Sequence, residues 1–450
     1  MLNKIKSTTI ALAAIASLIF SGPVFSQSDT AASTSTISRS LPNPLPAPPF
    51  PSGDWVGPVI GEAADAPDWA VQKALGLAND KSRIKIYGWV APSYNISTSK
   101  NSNVPLSYAI VPNSFQLDQA VLRIERQPNT VQTDHFDWGF RLSNVYGIDY
   151  RYITAKGWFS NQYFKKNNLY GYDNPETYVM LYFPKVAEGM VVTVGRFISP
   201  PDIEAQLATN NYLFTHSVMF TYDPFTFTGV QSTIRLTPHW SIEFAVDAGN
   251  DMAPWVKSAS LTGQAFVRWI SNNDKDGIWA GVNALGPNWK YSYGHDNLQM
   301  VAGTWGHKFN ERLHMMTEIY YDWEKDAALG GSASYGPVQY AAGGGPGPII
   351  PGISNSLGVV NYFQILIGNR DKSYLTIRND YLNDFKGWRT GYATTYLSHT
   401  IGFIHNFTEW LTVRPEIRYD YNVGNREIKP YDLGGKSSQV FAGSDLIVRF

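Results

Sequence analysis

Phe136, Trp138, Phe140 and Leu142 alternate with Asp137, Gly139, Arg141 and Ser143. The same period of two returns in Trp240, Ile242, Phe244 and Val246, set against Ser241, Glu243, Ala245 and Asp247. It returns again from Leu313 to Trp323, with Glu318 and Asp322 on the polar side, and from Leu411 to Tyr421, with Arg414, Glu416, Arg418 and Asp420 there. Neighbouring side chains of an extended strand point to opposite faces, so each segment has one apolar and one charge-bearing face. From Arg83 onward there is no helix-period segment of useful length and no second long apolar run.

The pattern predicts 16 strands, at 84–96, 115–126, 135–146, 176–183, 190–198, 225–236, 239–249, 261–271, 277–285, 297–309, 312–325, 357–368, 373–383, 392–405, 410–422 and 439–450. Every second connection is a tight turn, such as Thr237-Pro238 or Asn310-Glu311, and most of those between are long, including 147–175, 199–224, 326–356 and 423–438. A water-soluble sandwich also alternates, but nothing in it forces short and long connections to take turns along a whole chain. A membrane barrel with both termini on one side does. Its charged faces look into water and its Phe136/Trp138/Phe140 faces meet lipid. Aromatics gather at strand ends, with Phe136, Trp240, Phe407 and Trp410 on the turn side and Tyr146, Trp323, Tyr419 and Tyr421 on the loop side, as two interfacial girdles require. The expected fold is therefore all-β: a transmembrane up-and-down antiparallel β-barrel of about 16 strands (14–18) with a Pro-rich N-terminal extension.

Two lysines, Lys4 and Lys6, precede an apolar run from Ile10 to Phe20, followed by Gly22, Pro23 and Ser26. That run is too short to cross roughly 30 Å of hydrocarbon and reads as a signal peptide, residues 1–26. Taking Lys4 and Lys6 from 36 basic residues leaves 34 against 37 acidic ones, a balance that argues against a nucleic-acid partner. With no cysteine, disulfides, thiolate nucleophiles and Cys-ligated metals are excluded. Residues 27–82 form an extension, Pro-rich at Pro42 to Pro51, with one short helix expected between Asp65 and Asn79. It lies in the periplasm or enters the lumen from below.

The sequence resembles the OmpL-like β-barrel porin family of bacterial outer membranes. The resemblance rests on Ile86-Tyr87-Gly88-Trp89, on the run from Phe140 to Arg151, on Val194-Gly195-Arg196-Phe197-Ile198-Ser199-Pro200-Pro201-Asp202-Ile203-Glu204, and on Gly249 to Trp255, within residues 84–450. It implies a porin-like barrel and supplies no catalytic motif, cofactor or defined solute. The ending with Leu446, Val448 and Phe450 on one face resembles the assembly signal read by the barrel-assembly machinery.

Sixteen strands leave a lumen that wall side chains alone do not fill, and an open polar lumen is a passive channel for small hydrophilic solutes or ions. The candidate pore-lining residues are Asp137, Arg141, Glu243, Asp247, Glu318, Asp322, Arg414, Glu416, Arg418 and Asp420. Arg414, Glu416 and Arg418 are expected chiefly to pair with neighbouring wall charges. Connection 199–224 is the third external loop. In 16-stranded porins that loop commonly folds inward and narrows the pore, and the resemblance implies that Asp202 and Glu204 stand near a constriction; an ordinary exposed loop is the alternative. The glycine-rich stretch 343–347 lacks a strand-to-helix context for phosphate binding. Gly-x-Ser-x-Gly and His-Glu-x-x-His are absent and the eight histidines are scattered, so no enzyme, metal or cofactor is expected. A non-conducting adhesin or scaffold, or less readily a lipid hydrolase, is the rival reading. Outer-membrane lipid, lipopolysaccharide and a second copy of the chain are the remaining expected partners.

Overall fold

The computed structural model describes residues 60–61, 69–78, 83–159, 168–200, 202–273, 275–292, 296–331, 347–368 and 373–450. The signal segment 1–26, the Pro-rich run, Pro201 and glycines 343–345 lie outside the described residues.

Sixteen strands alternate along the chain: β1 (Lys85–Ser97), β2 (Phe115–Arg126), β3 (Asp137–Gly147), β4 (Gly171–Phe183), β5 (Met190–Ile198), β6 (Thr226–Arg235), β7 (Trp240–Asn250), β8 (Thr262–Ile270), β9 (Asp276–Leu285), β10 (Gln299–Lys308), β11 (Leu313–Lys325), β12 (Ile353–Leu366), β13 (Ser373–Asp384), β14 (Thr394–Thr408), β15 (Leu411–Asn422) and β16 (Ser438–Arg449). Each pairs antiparallel with the next, and β1 pairs with β16, closing the barrel. At the seam Trp89 faces Arg449 and Val90 faces Val448. Gly88 and Phe450 exchange both backbone hydrogen bonds, at 3.0 and 2.9 Å. A Cβ on Gly88 would stand 2.1 Å from the Val121 carbonyl and 2.8 Å from the Phe450 ring, so only glycine fits there.

Two strands start earlier than their patterns indicate. β4 begins at Gly171 rather than 176, because Pro175 sits where the register against β3 shifts between Ser143 and Val145. Such a bulge removes the ladder bond that proline cannot make. β12 begins at Ile353 rather than 357. Ser354, Asn355 and Ser356 are polar on both faces and carry no alternation, yet Ser356 N–H donates to Asp322 at 3.1 Å.

The barrel is inverted relative to a water-soluble fold. Trp138, Phe244, Ile319, Ile401 and Ile417 are exposed on its outer face, while Arg141, Glu176, Asp322, Arg378, Arg418 and Asp420 are buried inside. An apolar belt that runs around the circumference marks contact with a non-aqueous neighbour. The short helix α1 (Ala70–Ala74) lies by β1, with Trp69 packed against the cluster of Tyr87, Trp89 and Val121. Its Gln72 is fully buried, accepting from Ile86 N–H at 2.6 Å and donating to Leu77 O at 2.8 Å.

Candidate functional site

All ten residues expected to line the interior point inward and are buried. Near the short turns they form wall-to-wall pairs. Arg141 meets Glu125 and Glu176, both at 2.8 Å, and Arg123 meets Glu176 at 2.6 Å. Asp137 holds Arg83 at 2.5 Å and Arg126 at 3.0 Å. Glu243 accepts from Gln231 and Thr233, and Asp247 from Gly249 N–H and Gln264.

Farther up, the wall charges do something that pairing arithmetic does not foresee. The connection 199–225 leaves β5, turns into the barrel and returns to β6. From 202 to 225 every residue is buried except the half-buried Thr209 and Asn210. A loop without a ladder of its own carries backbone donors and acceptors that burial would strand. Here the opposite wall, with Arg389 of the β13–β14 connection, satisfies them. Guanidinium groups reach the carbonyls: Arg414 donates to Ala208 O and Asn211 O at 2.7 Å each, Arg378 to Thr215 O, Arg418 to His216 O, and Arg389 to Tyr222 O. Carboxylates reach the N–H groups: Glu318 accepts from Ile203 at 2.8 Å, Glu416 from Phe214 and Thr215 at 2.9 and 3.1 Å, and Asp380 from Val218 at 3.1 Å. Charge-assisted bonds of this kind are about twice as strong as neutral ones. Arg414 also pairs with Asp445, and Arg418 with Asp420 at 2.5 Å. Those residues therefore serve the loop as well as their wall neighbours.

Apolar side chains of the loop find sockets. Ile203, Leu213, Val218 and Met219 join one cluster with Met316, Tyr320, Val360 and Leu382 of the wall. Gly402 and Gly358 leave room for Leu213 and Met219, whose atoms lie 2.2 and 2.8 Å from where a Cβ would stand. Asp202 and Glu204 both sit in this loop inside the barrel. Glu204 accepts from Ser217 N–H at 2.8 Å and Tyr362 Oη at 2.6 Å, and lies 3.4 Å from Arg378. Asp202 has no such donor set beyond Glu204 N–H at 2.8 Å. Burial, and then the charge of Glu204, push its carboxyl up to about 7. Burial together with Asp202 and Glu318 pushes Asp223, at the far end of the loop, well above the usual carboxylate range.

A second inward loop, 98–114, was not singled out from the sequence, although residues 102–110 are all buried. Tyr108 stacks on His216 with ring centroids 3.9 Å apart and on Tyr152 at 4.6 Å, joining this loop to its neighbours. Arg378 and Asp380, which were not among the expected interior residues, lie with Tyr374 and Thr376 on the buried face of β13, a strand the pattern places at 373–383.

Leu446, Val448 and Phe450 lie on the outward face of β16, with Leu446 exposed and the other two half-buried. Outside the lumen, Ser373 and His405 share a hydrogen bond of 2.7 Å across β13 and β14. No carboxylate bonded to His405 occurs among the described residues, so a third member to orient the imidazole is missing there.

Residues 83–450 match the model of the family described as "Putative beta-barrel porin-2, OmpL-like". No curated protein matches the chain. Among solved structures, OprB of Pseudomonas putida is similar at 11% identity, with a TM-score of 0.52 over 85% of this chain and 97% of that one. An anion-selective porin from Comamonas acidovorans is similar at 9% identity, with a TM-score of 0.50 over 82% and 99%. At these identities the likeness is one of fold.

Proposed function

From the premise that the chain belongs to the OmpL-like β-barrel porin family, we propose that it is an outer-membrane channel for passive diffusion of small hydrophilic solutes or ions, narrowed by the inward loop 199–225. The observation that carries this reading is the loop itself. It crosses the interior and is bonded through its backbone to Glu318, Arg378, Asp380, Arg414, Glu416 and Arg418, from three strands of the facing wall, β11, β13 and β15. A loop held by fixed charges at mid-barrel sets a bore and an electrostatic profile without moving. Asp202 and Glu204 are its candidate constriction carboxylates. The apolar belt would sit in lipid, with lipopolysaccharide around the long loops, and residues 27–82 would lie on the periplasmic side, entering the lumen through Trp69 and α1. Leu446, Val448 and Phe450 would present the assembly signal, and a homo-oligomer is the natural arrangement for such a barrel.

The burial of the interior supports a second reading, a non-conducting barrel that acts as an adhesin or scaffold. Planar-bilayer recording of the purified barrel separates the two. Stepwise conductance is the expected result, and a membrane that stays silent after insertion would leave only the second reading. Hydrolysis has no comparable support, since among the described residues no carboxylate is bonded to His405 beside Ser373.

A further inference from the structure

Asp202 opens the inward loop, Asp223 closes it, and Glu318 faces both from β11. One oxygen of each lies within 4.8 Å of the other two, and the three residues are 6%, 4% and 1% exposed. Clustering alone would mean little. The partner arrangement adds an independent fact: Asp202 Oδ1 and Glu318 Oε2 are used, accepting from Glu204 and Ile203 N–H, whereas Asp202 Oδ2, Asp223 Oδ1 and Glu318 Oε1 are sealed from solvent and accept from no donor. The hydroxyl of Tyr108, in the second inward loop, is likewise sealed and partnerless. After burial, the charges that raise its pKa include Asp149, Asp223 and Asp202. The oxygens of these buried carboxyls that face one another have no donor, and where ionised they repel. A positive ion between them removes both costs.

We infer that Asp202, Asp223 and Glu318 bind one divalent cation of the calcium class, which fastens both ends of the inward loop to β11. The donor set is oxygen alone, which selects a hard cation over zinc or copper. Calcium's flexible shell at about 2.3–2.6 Å accepts an irregular set of carboxylates, whereas magnesium at about 2.0–2.1 Å demands near-ideal octahedral geometry. Three carboxylates, used bidentately, can offer the six oxygens at the low end of a calcium shell. With all three carboxyls ionised, a doubly charged ion leaves the site one negative charge.

The test uses the full barrel, purified in detergent free of lipopolysaccharide and stripped with EGTA, titrated calorimetrically with CaCl2 and separately with MgCl2. Unboiled and boiled migration on a gel establishes that each sample is folded. The expected result is one calcium per chain, magnesium at least tenfold weaker, and at least a tenfold loss in Asp223→Asn and in Glu318→Gln. Glu243→Gln, which removes a buried carboxylate elsewhere on the wall, should bind as the parent does. Absence of a stoichiometric site in the folded parent, folded site variants that bind calcium unchanged, or an equal loss in Glu243→Gln would each overturn the assignment. Should the site variants not fold, terbium luminescence in the parent decides, excited through Tyr320 and Tyr108: emission displaced by calcium supports the site, and no emission overturns it. Calorimetry needs no conductance, so failure here is separable from failure of the channel reading.

Discussion

Tyr108 and His216 stack face to face, 3.9 Å between ring centres, and this contact binds the two inward loops to each other. Phe220 also lies against the imidazole, at 4.4 Å, and 6.0 Å from Tyr108, so the three rings form one cluster. The His216 Nε2 is engaged with Ala205 O at 2.7 Å, and burial holds its pKa well below the ordinary value, so the ring stays neutral and stacks as an aromatic. Tyr108→Ala should loosen both loops at once. The expected outcome is a larger and noisier single-channel conductance with an unchanged unboiled gel position, read by bilayer recording.

Arg378 reaches the loop from β13 through Thr215 O and Glu204. Arg378→Ala would strand a buried carboxylate and a buried carbonyl together. Breaking a buried ion pair by removing one member typically costs about 3–5 kcal/mol. The variant should unfold at lower urea in detergent, and its surviving channels should carry more current than the parent; a parent-like urea midpoint would show that the contact carries no stability.

If Asp202 and Glu204 face the permeation path, Asp202→Asn with Glu204→Gln removes both ionisable carboxyls from the narrowest region. Reversal potentials in a salt gradient should shift away from cation preference. Unchanged potentials would remove both residues from the constriction.

At the seam, Gly88 has no space for even a methyl group. Gly88→Val should prevent the exchange of hydrogen bonds with Phe450 and abolish the heat-modifiable folded band. Gly76, whose Cβ would meet nothing within 4 Å, is the control; its φ of +70 makes Gly76→Asn the appropriate change, and that variant should fold normally.

Asp432 joins two outer connections by accepting from Lys100, Asn101 and Ser102 N–H, the first two at 3.0 and 2.6 Å. Desolvation works against its ionised form, but those three donors win and hold its carboxyl below the usual value. A depressed carboxyl stabilises the fold above its unfolded pKa of about 4, and that contribution disappears as pH falls through the lower, folded value. Protease cleavage between residues 98 and 114 should therefore rise below about pH 4 in the parent, and Asp432→Asn should show the raised cleavage already at neutral pH.

Much of this architecture could be read from alternation because a wall strand has to satisfy two solvents at once. Glu318, Arg414 and Asp420 had to point inward once Ile319, Pro415 and Tyr421 pointed out. What alternation leaves silent is anything that meets another segment instead of a solvent. Ser354 and Ser356 are polar on the inward face of a strand whose intervening Asn355 is polar too, so the start of β12 was invisible. The loop 98–114 has no period at all, and its burial depends on contacts such as Tyr108 on His216 that join residues far apart in the chain. The wall charges were legible as inward-facing, but not their partners. An arginine that will hold a carbonyl of another segment looks the same in sequence as one that will meet a carboxylate next door.

The bonds between Gly88 and Phe450 join residues at opposite ends of the described barrel. Until they form, β1 and β16 each present a row of bare peptide groups, and in hydrocarbon no water is there to occupy them. A partly rolled sheet would thus be most costly in the medium for which its exterior is built. Entry into the bilayer and the meeting of the two edges should accordingly be a single event, with the interior loops seated only as the ring shuts around them.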